Sequence, residues 1–379
     1  MHVVLVTTSY PESSSGSEAA GGFVADFAKQ LANHARVTVI AATAGPASIR
    51  KEGALNVHRF SVSRWPLSLL RPYHPADWWA ILATLRDGMR AVADVASADR
   101  PDYILALWAL PSGYWAKAML KRFGVPYGVW ALGSDIWSLG RIPILRSYLR
   151  KVLREADRCF ADGFELAEQV TKLSGAACDF LPSARLLPSS SGRELSEVPP
   201  WRLAFLGRWH PNKGVDIFLE SLRRLTAEDW KRVAEVRVYG GGPLDEEVRR
   251  QVAELQALGY PVNVGGYLDA DGAADLINWT DYLALPSRIE SIPVIFSDAA
   301  QLGRPLVATP VGDLPRLFDK QKFGILAGGA NVVDYTRGLQ DALRSNPAQF
   351  QPGLSVLAGE FDITQVAARF MEDLHARHH

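Results

Sequence analysis

The sequence predicts an α/β protein with two Rossmann-like, doubly wound parallel-sheet domains that face each other across a cleft. Three observations predict this fold class. Short apolar runs typical of buried strands alternate with helix-like segments along both halves of the chain. A stretch rich in Pro and Ser at residues 182–200 interrupts the alternation. The length, 379 residues, suits two domains of ordinary size.

The first half begins with the strand-like run "HVVLVTT", followed by a Ser/Gly-rich loop at residues 13–22. Apolar residues then recur at helical spacing from Phe23 to Leu31. Four more strand-like runs follow, separated by helical stretches: "RVTVIAA", "DYILALW", "YGVWAL" and "RCFAD". We therefore expect residues 1–185 to form an N-terminal domain.

After the Pro/Ser stretch the alternation restarts. Five more runs predict strands: "RLAFLG", "EVRVYG", "PVNVGGYL", "YLALPS" and "PLVATP". Residues 198–360 are expected to form a second domain. The tail "ITQVAARFMEDLHAR" places its apolar residues on one helical face. We expect this last helix, residues 361–379, to cross back to the N-terminal domain.

Composition excludes several classes of function. The chain has 41 basic and 41 acidic residues, so no overall charge attracts nucleic acid, and we expect no nucleic-acid partner. Two cysteines argue against a disulfide framework and favour the cytoplasm. The N-terminus lacks the pattern of a signal peptide. Pro111 interrupts the most apolar run, so we expect no membrane-spanning helix.

The segment "GRWHPNKG" joins a predicted strand to a predicted helix and carries two cations. Arg208 follows the strand directly, and Lys213 stands just before the helix. A guanidinium, an ammonium and a helix N-terminus together could hold a diphosphate. The alternative is that both are solvated surface cations beside a Gly turn.

The segment "PSRIESIPVIFSDAAQLGRP" offers two carboxylates. Glu290 lies in the loop after a strand, and Asp298 lies eight residues later. Carboxylates accept hydrogen bonds from sugar hydroxyls, although both could instead be ordinary surface acids. Ser291 is predicted to cap a helix that has Pro293 in its first turn and ends at Gly303.

Several motifs occur in an order that resembles one known family. They are "FLGRWHPNKGVDIFLESL", "VYGGGP", "NVGGYL", "LPSRIESIPVIFSDAAQLGRPLVATPVGDLP" and the Gly21–Gly22 loop. This order resembles that of family-4 glycosyltransferases of the GT-B fold, over essentially the whole chain and most strongly from 203 to 318. The resemblance implies a retaining glycosyltransferase for a hexose-type sugar. It also implies a nucleotide diphosphate donor, no bound metal, and a glycan, lipid-linked or small-molecule acceptor in polysaccharide or glycoconjugate synthesis.

The resemblance also implies that residues 1–185 bind the acceptor and residues 198–360 bind the nucleotide sugar, and it implies roles for individual residues. Arg208 and Lys213 match the basic pair that holds the donor diphosphate, and Glu290 matches the acid that contacts donor sugar hydroxyls. Asp298 falls at the acid that binds the ribose, where the family has Glu. The predicted catalytic set is Arg208, Lys213, Glu290 and Asp135. The predicted donor-binding set is Gly21, Gly22, Gly207, Arg208, Lys213, Gly240, Gly241, Gly266, Tyr267, Leu268, Ser287, Glu290, Ser291, Ile292 and Asp298.

The chain departs from the family pattern in two other loops. Leu132 stands in "WALGSDIW" where the family often has His, although Asp135 is retained. "VGDLPR" places Asp313 and Arg316 where the family often has a Glu after the Pro. Losing the His leaves open a mechanism in which the donor phosphate takes the acceptor proton. Whether Leu132 and Asp298 alter activity is left open as well.

Two N-terminal segments combine arginines with aromatic or aliphatic residues: "RFSVSRWPLSLLRPYHPADWW" and "WSLGRIPILRSYLRKVLREADR". Such faces suit a membrane interface with anionic lipid, which would place the protein peripherally at the inner face of the membrane. The alternative is an amphipathic helix that packs on its own sheet and keeps a solvated basic face.

Two rival functions remain at this level. One is a non-catalytic nucleotide-sugar-binding or scaffold protein with the same fold. The other is a dehydrogenase or epimerase, which is disfavoured because no G-x-G-x-x-G follows the first strand. The base, the sugar, the acceptor, the linkage and the oligomeric state are not determined by the sequence.

Overall fold

A computed structural model describes residues 1–12, 21–65, 67, 70–187 and 193–378. The described residues up to 182 and from 366 onward form one compact unit, and those from 183 to 365 form another. Both units are α/β, and each is built on a largely parallel sheet. The predicted fold class of two Rossmann-like units is therefore confirmed.

The sheet of the N-terminal unit has eight strands in the order β3-β4-β2-β1-β5-β6-β7-β8. Its pairs are parallel except for β3 with β4. The strands are β1 (His2–Thr7), β2 (Arg36–Thr43), β3 (Ser48–Glu52), β4 (Leu55–Ser61), β5 (Tyr103–Leu107), β6 (Tyr127–Ala131), β7 (Arg158–Ala161) and β8 (Cys178–Phe180).

The helices of this unit connect most of its parallel strands, because a crossover between parallel strands needs a long connection. They are α1 (Gly22–Leu31), α2 (Pro75–Ala98), α3 (Ser112–Phe123), α4 (Ser134–Trp137), α5 (Pro143–Glu155) and α6 (Phe164–Ser174).

Three strands of this sheet were not predicted: β3, β4 and β8. The edge strand β3 is exposed over four of its five residues, so it has no buried face and no apolar pattern. β8 has three residues, none of them fully buried. β4 alternates buried and exposed positions, but it overlaps the segment that was interpreted as a basic and aromatic face.

The sheet of the C-terminal unit is entirely parallel and has the order β11-β10-β9-β12-β13-β14. Its strands are β9 (Trp201–Arg208), β10 (Val233–Gly241), β11 (Val262–Gly265), β12 (Tyr282–Leu285), β13 (Leu306–Ala308) and β14 (Gly324–Leu326). The chain steps outward from β9 to β11 and then returns to β12, on the other side of β9. This reversal creates the crevice in which doubly wound sheets bind ligands.

Helices cover both faces of this sheet. They are α7 (Val215–Arg223), α8 (Ala227–Trp230), α9 (Asp245–Ala257), α10 (Ala270–Trp279), α11 (Val294–Gln301), α12 (Leu314–Lys320), α13 (Val332–Arg344) and α14 (Gln351–Glu360). The last helix of the chain is α15 (Ile363–His378). Within the described residues, no helix has the length and apolar character needed to cross a membrane.

Phe370, near the middle of α15, packs into the core of the N-terminal unit. Its buried ring lies 5.7 Å from the ring of Phe27, 6.4 Å from that of Tyr103 and 5.6 Å from that of Phe160, all edge to face. Aromatic edge-to-face contacts add to the free energy of burial. The C-terminal helix is therefore part of the N-terminal core.

Replacing this ring tests how much α15 contributes to stability. We expect Phe370→Ala to lower the free energy of unfolding by roughly 3–5 kcal/mol, because it removes a buried ring and leaves a cavity. Chemical denaturation measures the change. Glu372→Ala, at an exposed position of the same helix, is the matched control. A loss below about 1 kcal/mol for Phe370→Ala would contradict the packing described.

Candidate functional site

The loops that leave β9 and β12 lie side by side, because these two strands are neighbours on either side of the strand-order reversal. Arg208 is the last residue of β9, and its side chain is exposed. In the part of the chain that the structure describes, its guanidinium forms no hydrogen bond or ion pair. A cation is thus available at the carboxyl edge of the sheet.

The β9 loop makes one 3-10 turn before α7 begins. The His210 ring accepts a hydrogen bond from the Asn212 N–H at 3.2 Å, which fixes the start of the turn at Pro211–Lys213. Gly214 follows with a φ of 68°, a left-handed conformation that favours Gly. This turn sets the direction in which Lys213 leaves the backbone.

Lys213 and Glu290 connect the β9 loop to the β12 loop. The Lys213 ammonium donates to Glu290 Oε1 in a short ion pair, and the Ser287 hydroxyl donates to the same oxygen at 2.9 Å. The Lys213 side chain is 37% exposed and that of Glu290 is 10% exposed. Glu290 is therefore held in place while an edge of the pair faces solvent.

Arg288 ties the same two loops together through the backbone. Its N–H donates to the Asn212 carbonyl at 2.8 Å, and its guanidinium donates to the Pro211 carbonyl at 2.6 Å. The guanidinium also forms a two-pronged pair with Asp216, at 2.8 and 2.6 Å. Planar, bidentate pairing of this kind fixes orientation as well as distance.

Two glycines allow the loops to approach closely. A Cβ on Gly214 would lie 1.9 Å from the Pro286 carbonyl oxygen. A Cβ on Gly312, in the loop after β13, would lie 2.3 Å from the Glu290 carbonyl oxygen, and its φ is 54°. The Asp313 N–H donates to the Ser291 carbonyl at 3.3 Å. Three neighbouring loops therefore support the backbone at Glu290.

The Gly-rich end of β10 packs against the end of β9. A Cβ on Gly240 would lie 1.9 Å from the Gly207 carbonyl oxygen, and the Gly240 N–H donates to the Gly266 carbonyl at 3.2 Å. Tyr267, 61% exposed, donates its hydroxyl to the Gly241 carbonyl at 2.7 Å. The structure thus brings these predicted residues together at the edge that carries Arg208.

Leu268 follows Tyr267 and is half-buried. Among the described residues other than its two chain neighbours, none has an atom within 4 Å of the place where a Cβ on Gly266 would stand, so this side of the segment is open.

Asp298 lies in a different environment from that of Glu290. Its side chain is fully buried in α11, and its two oxygens accept hydrogen bonds from the Arg185 guanidinium. Arg185 lies in the chain segment between β8 and β9. Its carbonyl accepts a hydrogen bond from the Gln301 side-chain amide at 3.3 Å. This carboxylate holds the incoming chain segment against α11.

The predicted cap of α11 is wrong. The helix begins at Val294, and Pro293 at the N-cap position has an extended backbone and makes no side-chain cap. The Ser291 hydroxyl is buried and has no hydrogen-bond partner among the described residues. Ile292 is also buried, at 5% exposure. Pro293 itself has an extended backbone, and a proline disfavours helical backbone in the residue before it, so the helix does not reach back to Ile292.

The remaining predicted residues belong to the N-terminal unit. Asp135, at the start of α4, is buried and accepts hydrogen bonds from the Ala109 N–H at 2.6 Å and the Leu132 N–H at 3.3 Å. Burial raises the pKa of this carboxyl to about 6. Asp135 therefore joins the loops after β5 and β6.

Gly21 lies just before α1, and Gly22 is the first residue of that helix. A Cβ on Gly21 would lie 3.0 Å from Tyr10 backbone atoms, so the helix start approaches the loop after β1 closely. Positions 13–20, which connect the loop after β1 to Gly21, lie outside the described residues.

Sequence reasoning missed Arg185, Arg288 and Gly312. Arg288 lies inside the quoted segment "PSRIES", and Gly312 precedes Asp313 in "VGDLP", so both were adjacent to predicted residues. Nothing in the local pattern signals Arg185, because its partner is more than a hundred residues away. Among the described residues, no group of three or more His, Cys, Asp or Glu could hold a metal ion.

The C-terminal unit is similar in sequence to known glycosyl transferases. Residues 200–345 match the family described as "Glycosyl transferases group 1". The D-inositol 3-phosphate glycosyltransferase of Saccharomonospora viridis is 31% identical over 207 residues, which cover 50% of this chain and 48% of that protein. The chain spans about half the length of the curated relatives that it matches.

Solved structures are similar over nearly the whole chain. Sucrose-phosphate synthase from Thermosynechococcus elongatus has a TM-score of 0.75 at 16% identity, covering 99% of this chain and 98% of that one. Anabaena HepE in complex with UDP and glucose has a TM-score of 0.71 at 15% identity, covering 99% and 100%. At these identities the likeness shows a shared fold. The chain thus has the GT-B fold, and its residues 200–345 match the group 1 glycosyl transferase family.

Proposed function

We propose that the protein is a retaining glycosyltransferase that moves a hexose-type sugar from a nucleotide diphosphate donor to a glycan, lipid-linked or small-molecule acceptor. The observation that carries the proposal is the cluster of Lys213, Glu290 and Ser287 at the strand-order reversal, inside the family match, with Arg208 exposed on the neighbouring strand end.

The two cations act mainly on the leaving group. As the bond between sugar and diphosphate breaks, negative charge grows on the departing oxygen. Cations placed there stabilise the transition state more than the bound donor, which is the condition for catalysis. Arg208 supplies a planar fork and Lys213 a compact charge. Because this positive charge comes from the protein, we propose that the reaction needs no metal ion.

Only one of the two carboxylate oxygens of Glu290 accepts hydrogen bonds from described residues. Lys213 and Ser287 both bond Oε1, and no described residue bonds Oε2. A carboxylate oxygen accepts hydrogen bonds only, so Oε2 suits a sugar hydroxyl. The ion pair to Lys213 also links the sugar position to the diphosphate position. We therefore assign Glu290 to orienting the donor sugar.

Deprotonation of the acceptor needs a base other than a His at position 132, which is Leu. We propose that a donor phosphate oxygen takes this proton, which agrees with retention of configuration. Asp135 acts as a positioning residue in this proposal, since both its oxygens are engaged by backbone N–H groups.

The finer features of the reaction are also proposals. We place the protein in the cytoplasm, where nucleotide sugars are made, and in the synthesis of a polysaccharide or glycoconjugate. The solved relative that holds UDP and glucose supports testing UDP-sugars first. A non-catalytic scaffold would bind a nucleotide sugar without turning it over. Release of nucleoside diphosphate that depends on an added acceptor separates the two functions.

The cations are tested by Arg208→Ala and Lys213→Ala. We expect each to lower kcat at saturating donor by about a hundredfold or more, or about 3 kcal/mol, with a smaller effect on donor binding. Arg223→Ala is the matched control, because Arg223 is also ion-paired and its side chain is also 37% exposed. Wild-type kcat in both variants would remove the cations from the mechanism and favour the scaffold.

Glu290→Gln tests the orientation of the sugar. The amide offers one acceptor where the carboxylate offered two, so the position of its N–H₂ group decides which hydroxyls it can bind. We expect the ratio of kcat/KM for the preferred donor to that for its hydroxyl epimers to fall by about tenfold or more. Glu254→Gln, which loses an exposed ion pair to Arg223, is the control. An unchanged ratio would show that Glu290 supports the loop only.

Asp298 is tested through its partner. Breaking this buried pair with Asp298→Asn should lower the free energy of unfolding by about 3–5 kcal/mol, because Arg185 loses its counter-charge. Arg185→Met combined with Asp298→Leu should recover most of that stability. Denaturation and donor titration are measured on the same samples. If Asp298→Asn weakens donor binding tenfold at unchanged stability, Asp298 contacts the ribose directly.

A further inference from the structure

The first two turns of α2 expose large apolar side chains to solvent. Trp78 is 53% exposed, Trp79 75% and Leu82 60%, and Tyr73, just before the helix, is 74% exposed. Scattered exposed apolar residues are common, but three on two turns of one helix are not. We name these four residues the α2 apolar face.

The opposite side of α2 is fixed to the N-terminal core. Ala80, Thr84 and Gly88 are buried there, and a Cβ on Gly88 would lie 2.2 Å from the Trp115 ring. At about 100° per residue, positions 78, 79 and 82 point away from that side. The side chains of Trp78, Trp79 and Leu82 therefore do not pack into the N-terminal core.

Hydrogen bonds also hold the entry to the helix. Asp77, only 1% exposed, accepts from the Arg71 N–H at 3.0 Å and Nε at 3.2 Å, and it pairs with Arg64. The Trp78 indole donates to the Pro72 carbonyl at 2.8 Å. The face is thus presented by an ordered backbone, which lowers the entropy cost of docking on it.

The charge around this face is positive toward solvent. Residues 64–90 contain four arginines, two aspartates and neither Lys nor Glu. All four arginines are exposed, and they outnumber their two partners: Arg64 and Arg71 share the buried Asp77, and Arg86 pairs with Asp87 at 2.8 and 3.1 Å. Arg86 and Arg90 continue the outward side of the helix beyond Leu82. The α2 apolar face, with arginines around it, is complementary to a surface that carries negative charge.

The second basic segment of the sequence has a different role. The Arg150 guanidinium donates to the Leu173 carbonyl at 3.1 Å, and that of Arg154 donates to the Ser174 carbonyl at 3.3 Å. Leu173 and Ser174 end α6, where unpaired carbonyls and the helix dipole favour a cation. Two arginines of that segment therefore serve the fold.

We propose that the α2 apolar face docks on the surface of a membrane containing anionic lipid. Trp and Tyr rings lie at the headgroup level of bilayers, and an interfacial helix buries only its apolar side. Arg90 contacts lipid phosphates from the rim, together with the N–H groups that Arg64, Arg71 and Arg86 do not use in their pairs with Asp77 and Asp87. This proposal is independent of the proposed transfer reaction, and it goes beyond that reaction by assigning the surface that brings the protein to lipid.

Flotation of the full chain with vesicles tests the proposal. Wild-type protein should float with vesicles of phosphatidylcholine and phosphatidylglycerol at about 0.05 M salt, and less so at about 0.5 M salt or without the anionic lipid. We expect Trp79→Ser combined with Leu82→Ser to weaken binding at least about tenfold. Arg86→Gln and Arg90→Gln should each weaken it by roughly fivefold.

Matched controls lie outside the face. Ile144→Ser removes an 82% exposed apolar residue of the second basic segment, and Arg337→Gln removes a 72% exposed arginine of the C-terminal unit. Neither should change flotation. Failure of the wild type to bind anionic vesicles, or equal binding by the Trp79/Leu82 variant, overturns the proposal.

A third result overturns it in favour of another ligand. If the Trp79/Leu82 variant floats like the wild type but loses binding to a soluble polysaccharide, the face is a glycan surface. Donor turnover is measured on the same preparations with a water-soluble acceptor. Loss of flotation with intact turnover, or the reverse, then separates the membrane proposal from the proposed function.

Discussion

The candidate site depends on one constraint, the close backbone approach of the loops after β9, β12 and β13. At Gly214 and Gly312 a neighbouring carbonyl oxygen occupies the space where a Cβ would stand. Both glycines also have a left-handed backbone, which other residues adopt at a cost. Because the three loops interlock in this way, Glu290 has a fixed backbone, and Lys213 meets it from the neighbouring loop.

Electrostatics divides the charged residues at this edge into two kinds. Asp298 is fully buried and its partner Arg185 is 23% exposed, so losing either partner would leave a poorly compensated charge, and the pair holds the chain in place. Lys213 and Glu290 pair at the surface, where solvent reduces the cost of separating them. Ligand groups can therefore compete for the second pair far more easily than for the first. This difference motivates assigning donor binding to Lys213 and Glu290.

Much of the fold was predictable because buried strands leave an apolar pattern. The strands at the centre of both sheets, β1 and β9 among them, were predicted close to their observed bounds. The edge strand β3, "SIRKE", was not, since an exposed strand needs no apolar alternation. The capping role of Ser291 was wrong for a local reason. Pro293 is itself extended and disfavours helical backbone in Ile292 before it, so the helix starts at Val294.

The sequence by itself determined the fold class and the loops in which site residues should lie, because apolar periodicity and Gly and Pro positions are local properties of the chain. It also placed Lys213 and Glu290 in loops that follow strands. Only the tertiary structure decided that Lys213 pairs with Glu290, that Asp298 pairs with Arg185, and that Trp79 remains exposed. Partner choice and burial depend on residues far apart in sequence, which come together only when the sheet order is set.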